Sequence, residues 1–222
     1  VLERAPRHAA ERKRDFEGHL LSSSSEAVLR SSKVRYRELD DVGLDTARLL
    51  ADEKIVGWFQ GRMEFGPRAL GARSILASPI DPAMQARLNE LKDREDFRPV
   101  APVVPEEHLA DWFEPAAANG GQARFMLFVY DVKPDAAARI PAVRHVDGTA
   151  RVQTVTREQS PTYYRLLERF HGRTGVPVLV NTSFNTRGKP VVCTPQDAVE
   201  CFYTSPIDVL AMGGFLLQKC QA

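Results

Sequence analysis

The chain has 222 residues, with 30 lysines and arginines against 29 aspartates and glutamates; a formal charge of +1 argues against a general polyanion-binding surface. A hydrophobic content of 43% fills one sizeable core, yet no apolar run reaches the roughly 18–20 residues of a membrane span. Val1 to Arg14 lacks the apolar centre of a secretory signal, and three cysteines without a CxxC spacing argue against a disulfide scaffold or structural zinc and fit a reducing cytoplasm.

Residues 1–22 are polar, with Arg, Lys and Glu dense over Val1 to Glu17, and read as an arm or linker ahead of a domain spanning 23–222. The first residue is Val, which reads as a piece of a longer polypeptide. Ser22 to Ser25 predicts a loop ending in a helix cap, and Asp45 predicts the cap of a helix reaching Ala51. Ile55 to Phe59 and Ser74 to Ala77 are compact apolar runs and read as buried strands. Between them, Glu64-Phe65-Gly66-Pro67-Arg68 is a loop, because Gly-Pro ends regular structure. Asp81-Pro82 opens a helix whose apolar face is Met84, Leu88 and Leu91, with Lys92 and Arg94 at its end. Val100 to Val104 reads as a strand, Glu106 to Phe113 as a short helix, Ala116 to Gly121 as a small-residue loop, and Phe125 to Val132 as a strand. Asp147-Gly148 turns into a strand in which Thr149, Arg151, Gln153 and Val155 share one face. Ser160-Pro161 opens a helix with Tyr163, Leu166, Leu167 and Phe170 on one side, ended by Gly172 and Gly175. Val176 to Val180 is a strand, Pro195 to Tyr203 a helix capped by Thr194, and Val209 to Met212 with Phe215 to Leu217 a closing pair. Helices alternating with strands partly buried on both faces define an α/β (α+β) domain on a mixed twisted sheet.

The chemistry concentrates in Gly57 to Pro99, where Arg62, Arg68, Arg73, Arg87, Lys92, Arg94 and Arg98 are threaded with Gly61, Gly66, Pro67 and Gly71. A solvated helix face accounts for Arg87, which is expected to be exposed. It does not account for the glycines, which let a backbone approach a ligand closely. Asn181 to Gly188 stands at the end of a buried strand, where open α/β sheets place ligands, and equally has the composition of a polar turn. There is no GxSxG, Walker loop, HExxH or GxGxxG, and none of the five histidines pairs at a metal-ligand spacing. His145 reads as structural. Arginine and lysine grouped with serine and asparagine position phosphates rather than attack covalently. The residues alone therefore point to a site for a phosphorylated ligand, a nucleotide foremost.

Four segments, GRMEFGPRALGARSILA, KDREDFRPVAPVV, HVDGTARVQTV and VPVLVNTSFNTRGKPVVCTP, together resemble the C-terminal domain of the nodulation-factor, cephamycin and aminoglycoside O-carbamoyltransferases (NodU/CmcH/TobZ type). The resemblance runs in order from about Lys54 to Lys219, and weakly from about Leu20. It implies a YrdC-like fold, an open twisted sheet with helices around a basic cavity. YrdC-like domains use a Lys-x-Arg and a Ser-x-Asn pair, matched here by Lys92-Asp93-Arg94 and Ser183-Phe184-Asn185.

The resemblance implies a two-stage reaction. Carbamoyl phosphate and ATP, with Mg2+ carried by ATP, give carbamoyl-adenylate; an N-terminal domain of the actin/sugar-kinase fold then moves the carbamoyl group to an acceptor hydroxyl. That domain and its metal-binding histidines are absent from this sequence, so it is expected as a partner in cis or in trans. Carried over residue by residue, Lys92, Arg94, Arg151 and Ser183 are expected in catalysis and phosphate handling, and Asn181 and Asn185 at the carbamoyl end. Arg62, Glu64, Arg68 and Arg73 are expected along the ATP side, with Glu64 either orienting an arginine or touching magnesium. No metal site of the chain's own and no membrane partner is expected. Two rival readings are a threonylcarbamoyl-adenylate synthase and an RNA-binding module; near-neutral charge and the lack of an aromatic-interleaved basic strip argue against nucleic acid.

Overall fold

A computed structural model of the chain describes residues 24–114 and 123–219. The expected arm at 1–22, Ser22 and Ser23 of the expected cap, the Ala116 to Gly121 loop and Cys220 lie outside the described residues. Residues 24–31 are helical. The strands are β1 (Arg37–Glu38), β2 (Val56–Phe59), β3 (Arg73–Ala77), β4 (Ala101–Pro105), β5 (Phe113–Glu114), β6 (Tyr130–Val132), β7 (Thr149–Ala150), β8 (Gln153–Val155), β9 (Leu179–Ser183), β10 (Val209–Met212) and β11 (Phe215–Gln218). The helices are α1 (Val42–Ala51), α2 (Met84–Leu91), α3 (Leu109–Trp112), α4 (Pro134–Ala137), α5 (Pro161–Thr174) and α6 (Pro195–Tyr203).

Eight strands form one sheet in the order β1-β11-β10-β2-β3-β9-β4-β8, and β5-β6-β7 form a small second sheet. β10 with β2 and β4 with β8 are parallel, while β2–β3, β3–β9 and β4–β9 are antiparallel. The mixed sheet expected from the sequence is thus present. Its inner strands β2, β3, β4 and β10 are buried along their whole length, as runs such as VGWF and VLAM require. α1 and α5 pack on each other, and α6 packs against β10 and β2.

Local chemistry sets the ends of the helices. α6 starts with a capping box, in which Thr194 accepts from the Asp197 amide and Asp197 accepts from the Thr194 amide. α5 ends at Gly175, whose φ of 72° is left-handed, so Gly172 lies within the helix rather than at its end. The cap of α1 is Asp41, not Asp45; Asp41 Oδ1 accepts from Leu44 N at 3.0 Å, and Asp45 stands in the first turn. α2 begins at Met84, with Asp81 bonding the Ala83 amide just ahead of it.

Three expected strands come out differently. Phe125 to Val132 is a strand only over β6, and Ala123–Phe125 is a 3-10 turn. Thr149 to Val155 is split: β7 belongs to the small sheet and β8 to the large one, with Arg151 and Val152 at the crossing. Arg151 therefore sits where the chain changes sheets. Val176 to Val180 is shifted, since pairing with β3 and β4 begins at Leu179 and runs on to Ser183. The polar Asn181 and Ser183 are thus strand residues, and their side chains are aimed by the pleat.

Candidate anion site and adjoining cavity

Residues paired across neighbouring strands share a face of a sheet. Trp58 pairs Ser74, which pairs Ser183; Leu76 pairs Asn181, which pairs Ala101; Val103 pairs both Leu179 and Gln153. One face of the large sheet therefore carries Trp58, Ser74, Gln153, Asn181 and Ser183. The first four hold the loop between β2 and β3. Trp58 Nε1 donates to the Gly71 carbonyl at 2.9 Å and Ser74 Oγ accepts from the Gly71 amide at 3.1 Å. Asn181 Nδ2 donates to the Ala69 carbonyl at 3.0 Å and Gln153 Nε2 to the Leu70 carbonyl at 2.8 Å. Asn181 Nδ2 also donates to Gln153 Oε1 at 2.6 Å, which joins the two anchors.

The loop organises itself from its other side through Glu64. Its Oε1 accepts from the amides of Leu70 at 2.6 Å, Ala72 at 2.7 Å and Arg73 at 3.4 Å. Gly71 has φ +114°, and a Cβ there would lie 2.2 Å from the Tyr163 ring, so only glycine fits between loop and helix. Arg73 is 3% exposed; Nη1 donates to the carbonyls of Gln60, Gly61 and Ala72, and the guanidinium lies 3.6 Å over the Phe59 ring. Among the residues expected along the ATP side, Glu64 and Arg73 are thus committed to backbone, whereas Arg62 and Arg68 are exposed on the loop. Asn181, expected at the carbamoyl end, is 1% exposed and anchors the loop, with its Oδ1 buried and unpartnered.

Lys92 follows α2, and Asp93 takes a left-handed φ of 45° that turns the chain between Lys92 and Arg94. Lys92 points into the end of β9. Its Nζ donates to the Ser183 carbonyl, to the Asn185 carbonyl and Asn185 Oδ1 at 2.8 Å each, and lies 3.4 Å from Ser183 Oγ. Ser183 Oγ donates to Asn185 Oδ1 at 2.7 Å. The Lys-x-Arg and Ser-x-Asn pairs, 91 positions apart, are therefore in direct contact. Burial, helped by the charge of Arg94, lowers the Lys92 ammonium to about 7. Cys201 nearby pulls the other way.

Arg94 is oriented by Asn89, a buried residue of α2, whose Oδ1 accepts from Arg94 Nε at 2.6 Å. Asn89 is held in turn by the carbonyls of Asp96 at 2.8 Å and Arg98 at 3.0 Å. Nothing in the sequence reading singled out Asn89; the signal was a polar residue beside Leu88 on an otherwise apolar helix face. Arg94 Nη2 and Arg151 Nε are both buried with no hydrogen-bond partner among the described residues. Burial weakens the hold of both arginines on their protons, and like charge adds to it: Arg98 acts on Arg94, and Arg68 and Arg94 act on Arg151. Lys92, Arg94, Arg151 and Arg68 thus form one cluster of like charge. Arg87 is outside it. It is half-buried rather than exposed, donating to the Glu53 carbonyl at 3.0 Å with Asp208 at 3.7 Å.

A cavity of about 680 Å³ is lined by the loop, β8 and the start of α5. Arg62 and Glu64 line it, as do Gln153 and Tyr163, while Lys92, Arg94, Arg151 and Ser183 do not.

An open mixed sheet with helices packed on it, and a cluster of like charge formed by Lys92, Arg94, Arg151 and Arg68 near the end of β9, defines an α/β domain. The family whose model matches residues 47–219 is the carbamoyltransferase C-terminus, and the chain belongs to it. It is 43% identical over 195 residues to nodulation protein NolNO of Sinorhizobium fredii, covering 87% of this chain and 28% of that protein. The chain spans about a third of the length of the curated relatives it matches. Among solved structures, full-length HypF in a phosphate- and nucleotide-bound form aligns with TM-score 0.56 and 18% identity, over 78% of this chain and 24% of that one. Sua5 of P. abyssi aligns with TM-score 0.55 and 16% identity, over 78% of this chain and 48% of that one. The YrdC-like fold expected from the sequence holds.

Proposed function

We propose that this domain takes carbamoyl phosphate and ATP and forms carbamoyl-adenylate, as the activating part of an O-carbamoyltransferase. The observation that carries the proposal is the pair of buried, unpartnered N–H groups on Arg94 and Arg151, set among like charges beside Lys92. Buried donors without acceptors are costly, and a bound polyanion removes both that cost and the repulsion. Membership of the carbamoyltransferase family supports carbamoyl phosphate as the anion. The likeness to HypF, solved with phosphate and nucleotide bound, supports a nucleotide as the second substrate.

In this reading one water is consumed. Carbamoyl phosphate gives up inorganic phosphate and leaves carbamate. A carbamate oxygen then bonds to the α-phosphorus of ATP, the bond to the β-phosphate oxygen breaks, and pyrophosphate departs. Lys92, Arg94 and Arg151 hold the phosphate and neutralise charge as it shifts. Ser183 Oγ and Asn185 meet the carbamoyl end, and Arg62 and Arg68 face the triphosphate. Asn181, Glu64 and Arg73 act through the loop they hold. Magnesium would come with ATP and supply charge neutralisation on its phosphates, while Glu64 Oε1 is taken by three loop amides. Transfer to a hydroxyl acceptor belongs to the N-terminal part of the longer relatives. The test is mass-spectrometric detection of carbamoyl-adenylate from carbamoyl phosphate and ATP. An adenylate formed from threonine and bicarbonate, but not from carbamoyl phosphate, would overturn the assignment.

A further inference from the structure

A carboxamide buried on an amphipathic helix destabilises the fold unless its polar groups are matched. Asn89 stands beside Leu88 on α2 at 0% exposure, and its polar groups are all committed to one short segment, residues 94–98. Nδ2 donates to the carbonyls of Asp96 and Arg98, and Oδ1 accepts from Arg94 Nε. The Asn89 main-chain carbonyl accepts from the Arg94 amide at 3.1 Å, so one residue grips Arg94 by both backbone and side chain. Gln85, one helical turn earlier, donates to the same two carbonyls, at 3.2 Å to Arg98 and 3.5 Å to Asp96, and makes no bond to Arg94. Both carboxamides hold the turn, but only that of Asn89 reaches the guanidinium. A guanidinium is planar, with its N–H groups in a fixed fork, so fixing Nε sets the direction of both Nη groups. Nη2 is the one buried with no partner among the described residues. A carboxylate could hold the same Nε–H, but would cancel the charge that an anion is to meet. Among the described residues the side chain bonded to Arg94 is this neutral amide, and Glu95 acts on it only through its charge.

We infer that Asn89 is a positioning residue for the anion site: it aims Arg94 into the cation cluster and leaves the arginine's charge uncancelled. The inference rests on the reading of that cluster as an anion site, and deepens it by naming what sets the arginine's direction. The experiment titrates the 222-residue chain with inorganic phosphate by calorimetry. The proteins compared are wild type, Asn89→Ala, Asn89→Asp, Gln85→Ala, Arg94→Gln and the double variant of Asn89→Ala with Arg94→Gln. Asn89→Ala should weaken phosphate binding about five- to tenfold, and Gln85→Ala less than about twofold, although both release the same carbonyls. In the Arg94→Gln background Asn89→Ala should add less than about twofold, because the two act through one group. Asn89→Asp keeps an oxygen for Nε and should still lose at least about tenfold, because it sets a negative charge against the guanidinium. Nuclear magnetic resonance separates aim from support. The Arg94 Nε–H signal, assigned by its loss in Arg94→Gln, should be protected from solvent exchange in wild type, Gln85→Ala and Asn89→Asp, and unprotected in Asn89→Ala. Wild-type phosphate affinity in Asn89→Ala, additive losses in the double variant, or an unprotected Nε–H in wild type overturns the inference and leaves the anion site standing. Where Asn89→Ala does not fold, Asn89→Asp at wild-type affinity or an unprotected Nε–H in wild type is the refuting result. No phosphate binding in wild type overturns the anion-site reading, and this inference with it.

Discussion

Replacing Arg151 with Gln separates a ligand-holding arginine from a structural one. In the free protein Arg151 has a buried Nε without a partner and lies in the fields of Arg68 and Arg94. No carboxylate is among the causes that shift it, so its removal breaks no ion pair there and relieves repulsion. The unliganded variant should therefore melt no lower than wild type. Binding should respond in the opposite direction. A hydrogen bond to a charged group contributes roughly 1.5–3 kcal/mol, which is about one to two decades in affinity. At a ligand concentration about 100 times the wild-type Kd, bound anion stabilises wild type by about 2.7 kcal/mol. A variant with a roughly thirtyfold weaker Kd would gain about 0.9 kcal/mol at the same concentration. For a domain of this size the ligand-induced rise should shrink from roughly 5–11 °C to about 2–4 °C. The assay is thermal melting with and without carbamoyl phosphate, backed by titration calorimetry. A full ligand-induced rise in Arg151→Gln, or an unliganded melting temperature lowered by several degrees, refutes the reasoning.

Lys92 provides a pH signature in two opposite directions. Its folded pKa of about 7 lies below the ordinary lysine value of 10.5, so the unfolded state binds more protons between those values and this group's contribution to stability rises with pH there. Anion binding needs the ammonium, so affinity for sulfate, whose charge is constant, should fall by up to about tenfold per pH unit above 7. Calorimetry in buffers of different ionisation enthalpy should show proton uptake at pH 8, and none in Lys92→Met; equal uptake in both would refute the assignment. Gly71→Ala should destabilise by more than about 2 kcal/mol by urea unfolding, since the methyl group meets Tyr163 at a positive φ. A cost under about 0.5 kcal/mol would show the loop not to be clamped. Arg87→Ala should leave anion affinity unchanged while lowering stability by about 1 kcal/mol or less, because its contacts to Glu53 and Asp208 are partly exposed. A tenfold loss of phosphate affinity in that variant would mean that the cation cluster has been drawn wrongly.

The buried strands and the longer helices were legible because each has a local cause: compact apolar runs, proline at the first turn of α5 and α6, and the Thr194–Asp197 box. The splitting of β7 from β8 was not legible. Alternation within TARVQTV reads as one strand, and only the small sheet's pairing with β6 pulls Thr149 and Ala150 away. The meeting of the Lys-x-Arg and Ser-x-Asn pairs was legible as residue types in order, since Lys92 and Ser183 are in contact. What each side chain does within it was less so. Arg73 and Glu64 have the composition of ligand contacts, yet the backbone carbonyls and amides of their own loop claim them first. Asn181 likewise anchors Ala69, a partner 112 positions away that no spacing along the sequence could show. Gln153 stood out as a polar residue on a strand face, but its role required the loop to be seen lying on that face.

The most direct test of the central claim is exchange of labelled pyrophosphate into ATP, measured with and without carbamoyl phosphate. It should be run on the wild-type chain and on Lys92→Met, Arg94→Gln and Arg151→Gln. Exchange should require carbamoyl phosphate, and each variant should lose about one to two decades of rate at subsaturating substrate, one charge-assisted contact being removed in each. Exchange at the wild-type rate in all three variants, or none in wild type while phosphate still binds at the cluster, would contradict the account.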